Sequence, residues 1–210
     1  MERVDRKPLL LVGLDGCDWG LIEPWMAAGR LPTLRRMRQE GASCGMTSTI
    51  PPITAPALAS FMTGLSPAST GLTGFIRPGG GVVSFNDIRN PCIWDHLGAA
   101  GIRSLVVGLR LTYPPREING VMLSGGLLRA RGDDYVTPRR LLAMSSGYHP
   151  EQERYPETLS VLKRGAVRDP VRLTDELVAL TRRQFEIFSS LGREEPFPFS
   201  LLRSPSCALP

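Results

Sequence analysis

Leu9-Leu-Leu-Val-Gly-Leu-Asp-Gly16 is a short apolar run with no helical period, closed by a carboxylate and a glycine. Such a run suits a strand buried on both faces, as in parallel sheets covered by helices. In open α/β sheets ligands bind beyond the carboxyl ends of the strands, and Asp15 stands at such an end. An aspartate there offers hard oxygen ligands to a divalent ion.

The segments that follow alternate in the way such a sheet requires. Trp19 to Gly29 reads as a short helix with Pro24 near its start, and Leu31 to Glu40 as a second, with Pro32 in its first turn and Gly41 as its stop. Ala42 to Thr49 is expected as a strand. Gly71 to Pro91 is a glycine-rich surface excursion with a short strand at Val82–Phe85, and Gly79-Gly-Gly81 a flexible turn. It lacks the Lys-Ser/Thr ending and the helix of a phosphate-binding loop. Cys92 to Ala100 is a helix stopped by Gly101, Arg103 to Leu109 a buried strand, and Val121–Ser124 a short strand after the Asn119-Gly120 turn. Leu127 to Asp169 loses its pattern and reads as surface or as a lid over a substrate pocket. Val171 to Ser190 is a strong helix, with Leu173, Leu177, Leu180 and Phe188 in one stripe flanked by Val171, Val178 and Phe185. Residues 191–210, with four prolines and no period, read as an irregular tail. The expectation is thus an α/β domain over 1–190, mainly parallel, flanked by helices and incomplete at its end.

Ile50-Pro-Pro-Ile-Thr-Ala-Pro56 leads into a further helix. The prolines stiffen the approach, Thr54 is placed as an N-cap, Pro56 is tolerated in the first turn, and Gly64 ends the helix. A hydroxyl at the positive end of a helix lies where anions and phosphates bind readily. The plain alternative is an ordinary cap. Combined with Asp15 some forty residues earlier, Thr54 reads as a nucleophile made reactive by a bound cation.

Gly13-Leu-Asp-Gly16, Gly29-Arg-Leu-Pro-Thr-Leu34, Pro51-Pro-Ile-Thr-Ala-Pro56 and Thr63-Gly-Leu-Ser-Pro67 resemble, in order and spacing, the type I phosphodiesterase/nucleotide pyrophosphatase family of the alkaline phosphatase superfamily. Ile93-Trp-Asp95, Leu111-Thr-Tyr-Pro-Pro115 and Asn119-Gly120 continue the likeness, which covers roughly residues 8–160. The resemblance implies an alkaline phosphatase-like core and hydrolysis of small-molecule phosphodiesters or phosphate esters. Asp15 would be a zinc ligand, and Thr54 both a ligand and the nucleophile that becomes phosphorylated. Two divalent ions about 4 Å apart would stabilise the entering and leaving oxygens.

The departures bear on activity. The family completes its two-ion site with Asp-x-x-x-His, Asp-His and a further His from later in the chain, whereas this sequence has two histidines, His96 and His149. His96 follows Asp95 inside a helix, and His149 matches no ligand piece. Ala57 stands where some relatives carry a phosphate-binding asparagine, and Thr70-Gly71 where many have His-Gly. The expectation is that the chain is the amino-terminal half of such an enzyme, cut short or shifted out of frame near residue 190. The alternative is a catalytically incompetent domain that binds an anion or a partner at the Thr54 helix end. A sulfatase reading fails, because no Cys/Ser-x-Pro-x-Arg piece is present.

The 210 residues are 42% hydrophobic and 21% charged, as in a globular domain with a sizeable core. The formal charge of +5 suits an anionic substrate, but the basic residues are scattered among acids, and no nucleic-acid partner is expected. Cys17, Cys44, Cys92 and Cys207 show no metal-site spacing and are expected as reduced thiols of a cytoplasmic protein. The charged start and the short apolar run after it exclude a signal peptide or a membrane span as the reading of this segment.

Overall fold

The computed structural model describes residues 7–125, 134–146, 148 and 169–204. They form an α/β fold around one five-stranded sheet: β1 (Leu9–Leu14), β2 (Ser104–Arg110), β3 (Gly120–Gly125), β4 (Val136–Thr137) and β5 (Phe199–Ser204). The strand order is β1-β5-β2-β3-β4. All pairings are parallel except the short β3–β4 pair. The helices are α1 (Trp19–Ala27), α2 (Pro32–Glu40), α3 (Thr54–Thr63), α4 (Pro67–Thr70), α5 (Ile93–Ala99) and α6 (Pro170–Glu194). Among the described residues no helix is long and apolar enough to cross a membrane.

Alternation along the inner strands divides the core between the two faces of the sheet, because successive side chains point to opposite sides. Val106, Met122, Phe199 and Leu201 face a cluster built with Ala55, Ala59 and Met62 of α3, Phe85 and Trp94 of α5. Phe85 and Trp94 meet edge to face, with ring centroids 6.1 Å apart. Leu105, Val107, Val121, Leu123 and Leu202 face the other side, against Ile187 and Leu191 of α6 and against Tyr135, Leu141 and Tyr148. The result is a three-layer helix–sheet–helix sandwich.

β5 overturns the expected irregular tail. Phe199–Ser204 lies between β1 and β2 and hydrogen-bonds to both. α6 also runs on to Glu194, and its buried stripe is Leu173, Leu177, Leu180, Gln184, Ile187 and Leu191. Val171, Val178 and Phe185, expected to flank the buried stripe, are exposed. Residues 205–210 lie outside the described residues.

Other expectations are corrected in detail. Ala42–Thr49 forms no strand and is largely exposed. Val82 makes only an isolated bridge to Ile76, and Phe85–Asp87 is a short 3-10 turn. Much of 127–169 is outside the described residues, but Tyr135, Val136, Leu141 and Tyr148 are core and not surface. Cys17 is disulfide-bonded, against the expectation of reduced thiols.

β1 differs from the strand expected of a doubly covered sheet. It is the edge of the described sheet, and Leu9, Leu10 and Val12 are more than half exposed. α1 and α2 pack chiefly on each other, joined by an Arg38–Glu23 ion pair at 2.7 Å and by Arg38 over the Trp19 ring.

Candidate active site at the carboxyl ends of β1, β5 and β2

Asp15 follows the last residue of β1, and its N–H donates to the carbonyl of Ser204 at 3.2 Å, so β5 holds it in place. Gly16 has φ +69, a left-handed turn that releases the chain toward α1 and that a side chain would oppose. The strand-end position expected for Asp15 is therefore observed.

Its carboxylate is already engaged. Arg203 of β5 donates Nη2 to Asp15 Oδ2, and Arg110 Nη1 lies 3.4 Å from the same oxygen. Arg203 is almost fully buried. Its burial, with Arg110 adding repulsion, pushes it down to about 10, against the pull of Asp15, and it remains cationic at neutral pH. Neither arginine belongs to the sequence-derived site. The one signal was an arginine at the end of an otherwise apolar strand in both Gly108-Leu-Arg110 and Leu201-Leu-Arg203.

The end of β2 is built to aim Arg110. The β2–β3 register shifts between Val107 and Arg110. Gly108 has φ +76, and Leu111, just beyond the strand, has φ +69 without being glycine. Bulges of this kind bend a strand and redirect a side chain, and strained backbone concentrates at functional sites.

Thr54 is the first residue of α3, and Ile53 is the N-cap, one residue from the expected position. An isoleucine side chain caps nothing, so the N–H groups of Thr54 and Ala55 at this helix end are left for a ligand. Thr54 is half-buried, and among the described residues its hydroxyl makes no hydrogen bond. Its neighbour Thr49 is occupied, donating to the Pro51 carbonyl at 3.1 Å.

Among the described residues no hydrogen bond or ion pair joins Asp15 to Thr54. A cavity of about 300 Å³ next to Asp15 is lined by Leu58 and Phe61 of α3 and not by Thr54. Asp95 accepts from the Cys92 N–H at 2.7 Å, which makes Asp95-His96 part of the α5 start, as its helical position implied. His149 lies outside the described residues.

A two-ion centre needs several oxygen or nitrogen donors turned toward the ions. Asp15 Oδ2 is shared by two guanidiniums, and no group of three His, Cys, Asp or Glu lies together among the described residues. The described residues do not fit that centre.

Comparison with the curated proteins gives no match. Among solved structures, the phosphonoacetate hydrolase of Sinorhizobium meliloti 1021, in complex with phosphonoacetate, is similar, with a TM-score of 0.59 and 22% identity. The alignment covers 97% of this chain and 47% of that one, so the chain spans about half the length of its structural neighbour. This likeness supports the alkaline phosphatase-like fold. The model of the type I phosphodiesterase / nucleotide pyrophosphatase family matches residues 9–183, which include Asp15, Thr54 and Arg110. By that match, over most of its length, the chain belongs to the type I phosphodiesterase/nucleotide pyrophosphatase family.

Proposed function

We propose that the chain is the nucleophile-bearing portion of a hydrolase of phosphodiesters or phosphate esters, with Thr54 as nucleophile and a small-molecule ester as substrate. The observation that carries this is the uncapped first turn of α3, where a half-buried, unpartnered hydroxyl sits beside free N–H groups. Family membership supplies the reaction class.

In this reading the phosphoryl oxygens dock on the N–H groups of Thr54 and Ala55, helped by the positive end of the helix dipole. Thr54 Oγ1 attacks phosphorus, and the bond to the leaving oxygen breaks. The phosphoryl group rests on Thr54 until water releases it. A threonine hydroxyl is a poor nucleophile until a base or cation lowers the cost of its ionisation. The described residues bring neither to Thr54, so no step is assigned to an ion here, and the rest of the site is assigned to groups beyond them.

A second reading, an incompetent anion-binding domain, is favoured by one observation: Asp15, which the resemblance makes a metal ligand, is neutralised by Arg203 and Arg110. Two measurements on the purified chain separate the readings. Inorganic phosphate is expected to shift the Thr54 and Ala55 amide resonances and to leave remote amides unmoved. Hydrolysis of a chromogenic phosphodiester, assayed with added zinc beside Thr54→Ala, then tests turnover. Zinc-dependent turnover lost in the variant supports the hydrolase. Phosphate binding at α3 without turnover supports the second reading, and no shift at these amides removes both.

A further inference from the structure

β1 is the edge of the described sheet, yet it is built like an interior strand. Leu9–Leu14 runs in unbroken register with β5 and holds no charge, proline or bulge, the devices by which soluble proteins keep an edge from pairing with another chain. Its hydrogen-bonding groups sort by parity. Leu9 and Asp15 donate their N–H groups toward β5, to the carbonyls of Pro198 and Ser204. Residues two apart share a side of a strand, so Leu10, Val12 and Leu14 point three N–H and three C=O groups away from β5. Among the described residues no strand takes them.

The same three residues place their side chains on the α6 face of the sheet, beside Leu202, and all three are exposed, Leu10 and Val12 at 56%. α6 leaves a matching stripe next to them. Its Thr181 hydroxyl meets that of Ser204 in β5 at 3.3 Å, whereas Arg183 turns the other way, to the carbonyls of Met144 and Ser146. Val178 and Phe185 lie one turn before and after Thr181, on the β5 side of the helix, and both are exposed.

A second β1 can meet this edge in one antiparallel register that uses every free group. About a two-fold axis at Val12, Leu10 of each copy faces Leu14 of the other, and Val12 faces Val12, so all six groups on each strand are paired. A shift of two residues either way breaks one of the three pairs. The pairing also sets six apolar side chains next to one another on the α6 face, and such cross-strand pairs are what stabilises a sheet. A standard interface takes about 800 Å² from each partner, more than a six-residue strand pair alone, so the stripes of α6 that flank the strip belong to the contact.

We infer that β1 and the exposed side of α6 form a self-complementary docking surface whose occupant is a second copy of this chain, joined through antiparallel β1–β1 pairing into one continuous sheet. The surface goes beyond the Thr54 reading, because it uses neither Asp15 nor the start of α3.

The test begins with sedimentation equilibrium of the full chain, expected to give twice the 23.0 kDa of one copy. Val12→Lys, checked for folding by circular dichroism, sets like charges against each other at the two-fold axis and is expected to weaken the dimer about tenfold or more. Cysteines read the register, in a Cys44→Ser background because Cys44 is exposed and free. Facing residues of a hydrogen-bonded pair have Cα atoms about 5.5 Å apart, within disulfide reach, whereas Leu10 of one copy would lie about 14 Å from Leu10 of the other. Under mild oxidation Val12→Cys is therefore expected to link to itself, and Leu10→Cys only when mixed with Leu14→Cys. A chain that stays monomeric at about 100 µM leaves the edge to a different polypeptide and overturns the inference, as does a dimer that Val12→Lys leaves intact. Leu10→Cys linking to itself as fast as Val12→Cys overturns the register and the surface with it.

Discussion

A methyl group at Gly108 would stand 2.6 Å from the carbonyl oxygen of Arg203, and the residue's φ of +76 already disfavours any side chain. Neither the carbonyl nor the strand behind it can yield without moving β5. Gly108→Ala is therefore expected to cost about 3 kcal/mol, from left-handed strain and overpacking together, measured by chemical denaturation. A loss under about 0.5 kcal/mol, the level of an ordinary surface change, would show that the β2 end is not tightly held. The two free cysteines differ just as sharply. Cys44 is exposed, whereas Cys92 is buried, and burial, with Asp95 adding to it, pushes its thiol up to about 12 despite Arg116. Since the thiolate is the reacting form, iodoacetamide at pH 8 is expected to label Cys44 within minutes and Cys92 only in denaturant. Labelling of Cys92 in the folded chain at a comparable rate would mean that α5 opens readily. At this scale the positions of Asp15 and Thr54 were legible because each sits in a local pattern, a strand end and a helix start. The Arg203 partner of Asp15 was not, because 188 residues separate them and nothing local marks the pair.

β5 shows what local pattern omits at the scale of an element. Phe197-Pro-Phe-Ser-Leu-Leu-Arg-Ser204 has a proline just before the strand and no clean alternation, so by propensity it reads as irregular. What makes it a strand is tertiary: β1 and β2 supply hydrogen bonds on both sides, and Leu201 and Leu202 are buried on opposite faces. A short apolar run takes its structure from such partners more than from itself. Ala42–Thr49 forms no strand: apart from its two threonines it holds Ala, Ser, Gly, Cys and Met, none of them a strong strand former, and it is largely exposed. The helices were read better. α3, α5 and α6 carry stop or start signals in Gly64, Gly101 and Asp169, and helical periodicity is the firmest local signal. Because Leu201 packs in the centre of the sheet against α3-side residues, Leu201→Ala is expected to cost about 2–5 kcal/mol in a denaturant titration. Were Phe199–Ser204 an unpacked tail, the same change would cost close to nothing, so this one measurement decides between the two descriptions of the segment.

At the scale of the whole molecule, each core face buries a weak acid whose pKa is raised. Cys92 lies in the α3–α5 face and Tyr148 in the α6 face, where its hydroxyl donates to the carbonyls of Leu123 and Ser124 at 3.3 Å. Burial raises both pKa values, for Cys92 from 9.0 to about 12, and for Tyr148 above its ordinary 10.0. Unfolding returns each group to its ordinary value. Above that value the unfolded chain has lost a proton that the folded chain keeps, so fewer protons are bound on unfolding and stability falls as pH rises. Below pH 9 both groups are neutral in both states and contribute nothing. The decline is expected to begin near pH 9 with Cys92 and to steepen past pH 10 as Tyr148 joins, each adding about 1.4 kcal/mol per pH unit. By pH 11 the sum reaches about 4 kcal/mol, a large part of the stability of an ordinary domain. Denaturant titrations at pH 8, 10 and 11 measure the slope, with Cys92→Ser expected to remove its first segment and Tyr148→Phe its second. A flat profile between pH 8 and 11 would mean that both groups ionise in place in the folded chain, while a slope unchanged in the double variant would assign alkaline unfolding to groups outside the core. Loss of the two segments one by one would show that both faces of the sheet are closed to water and that the chain folds as a single sandwich.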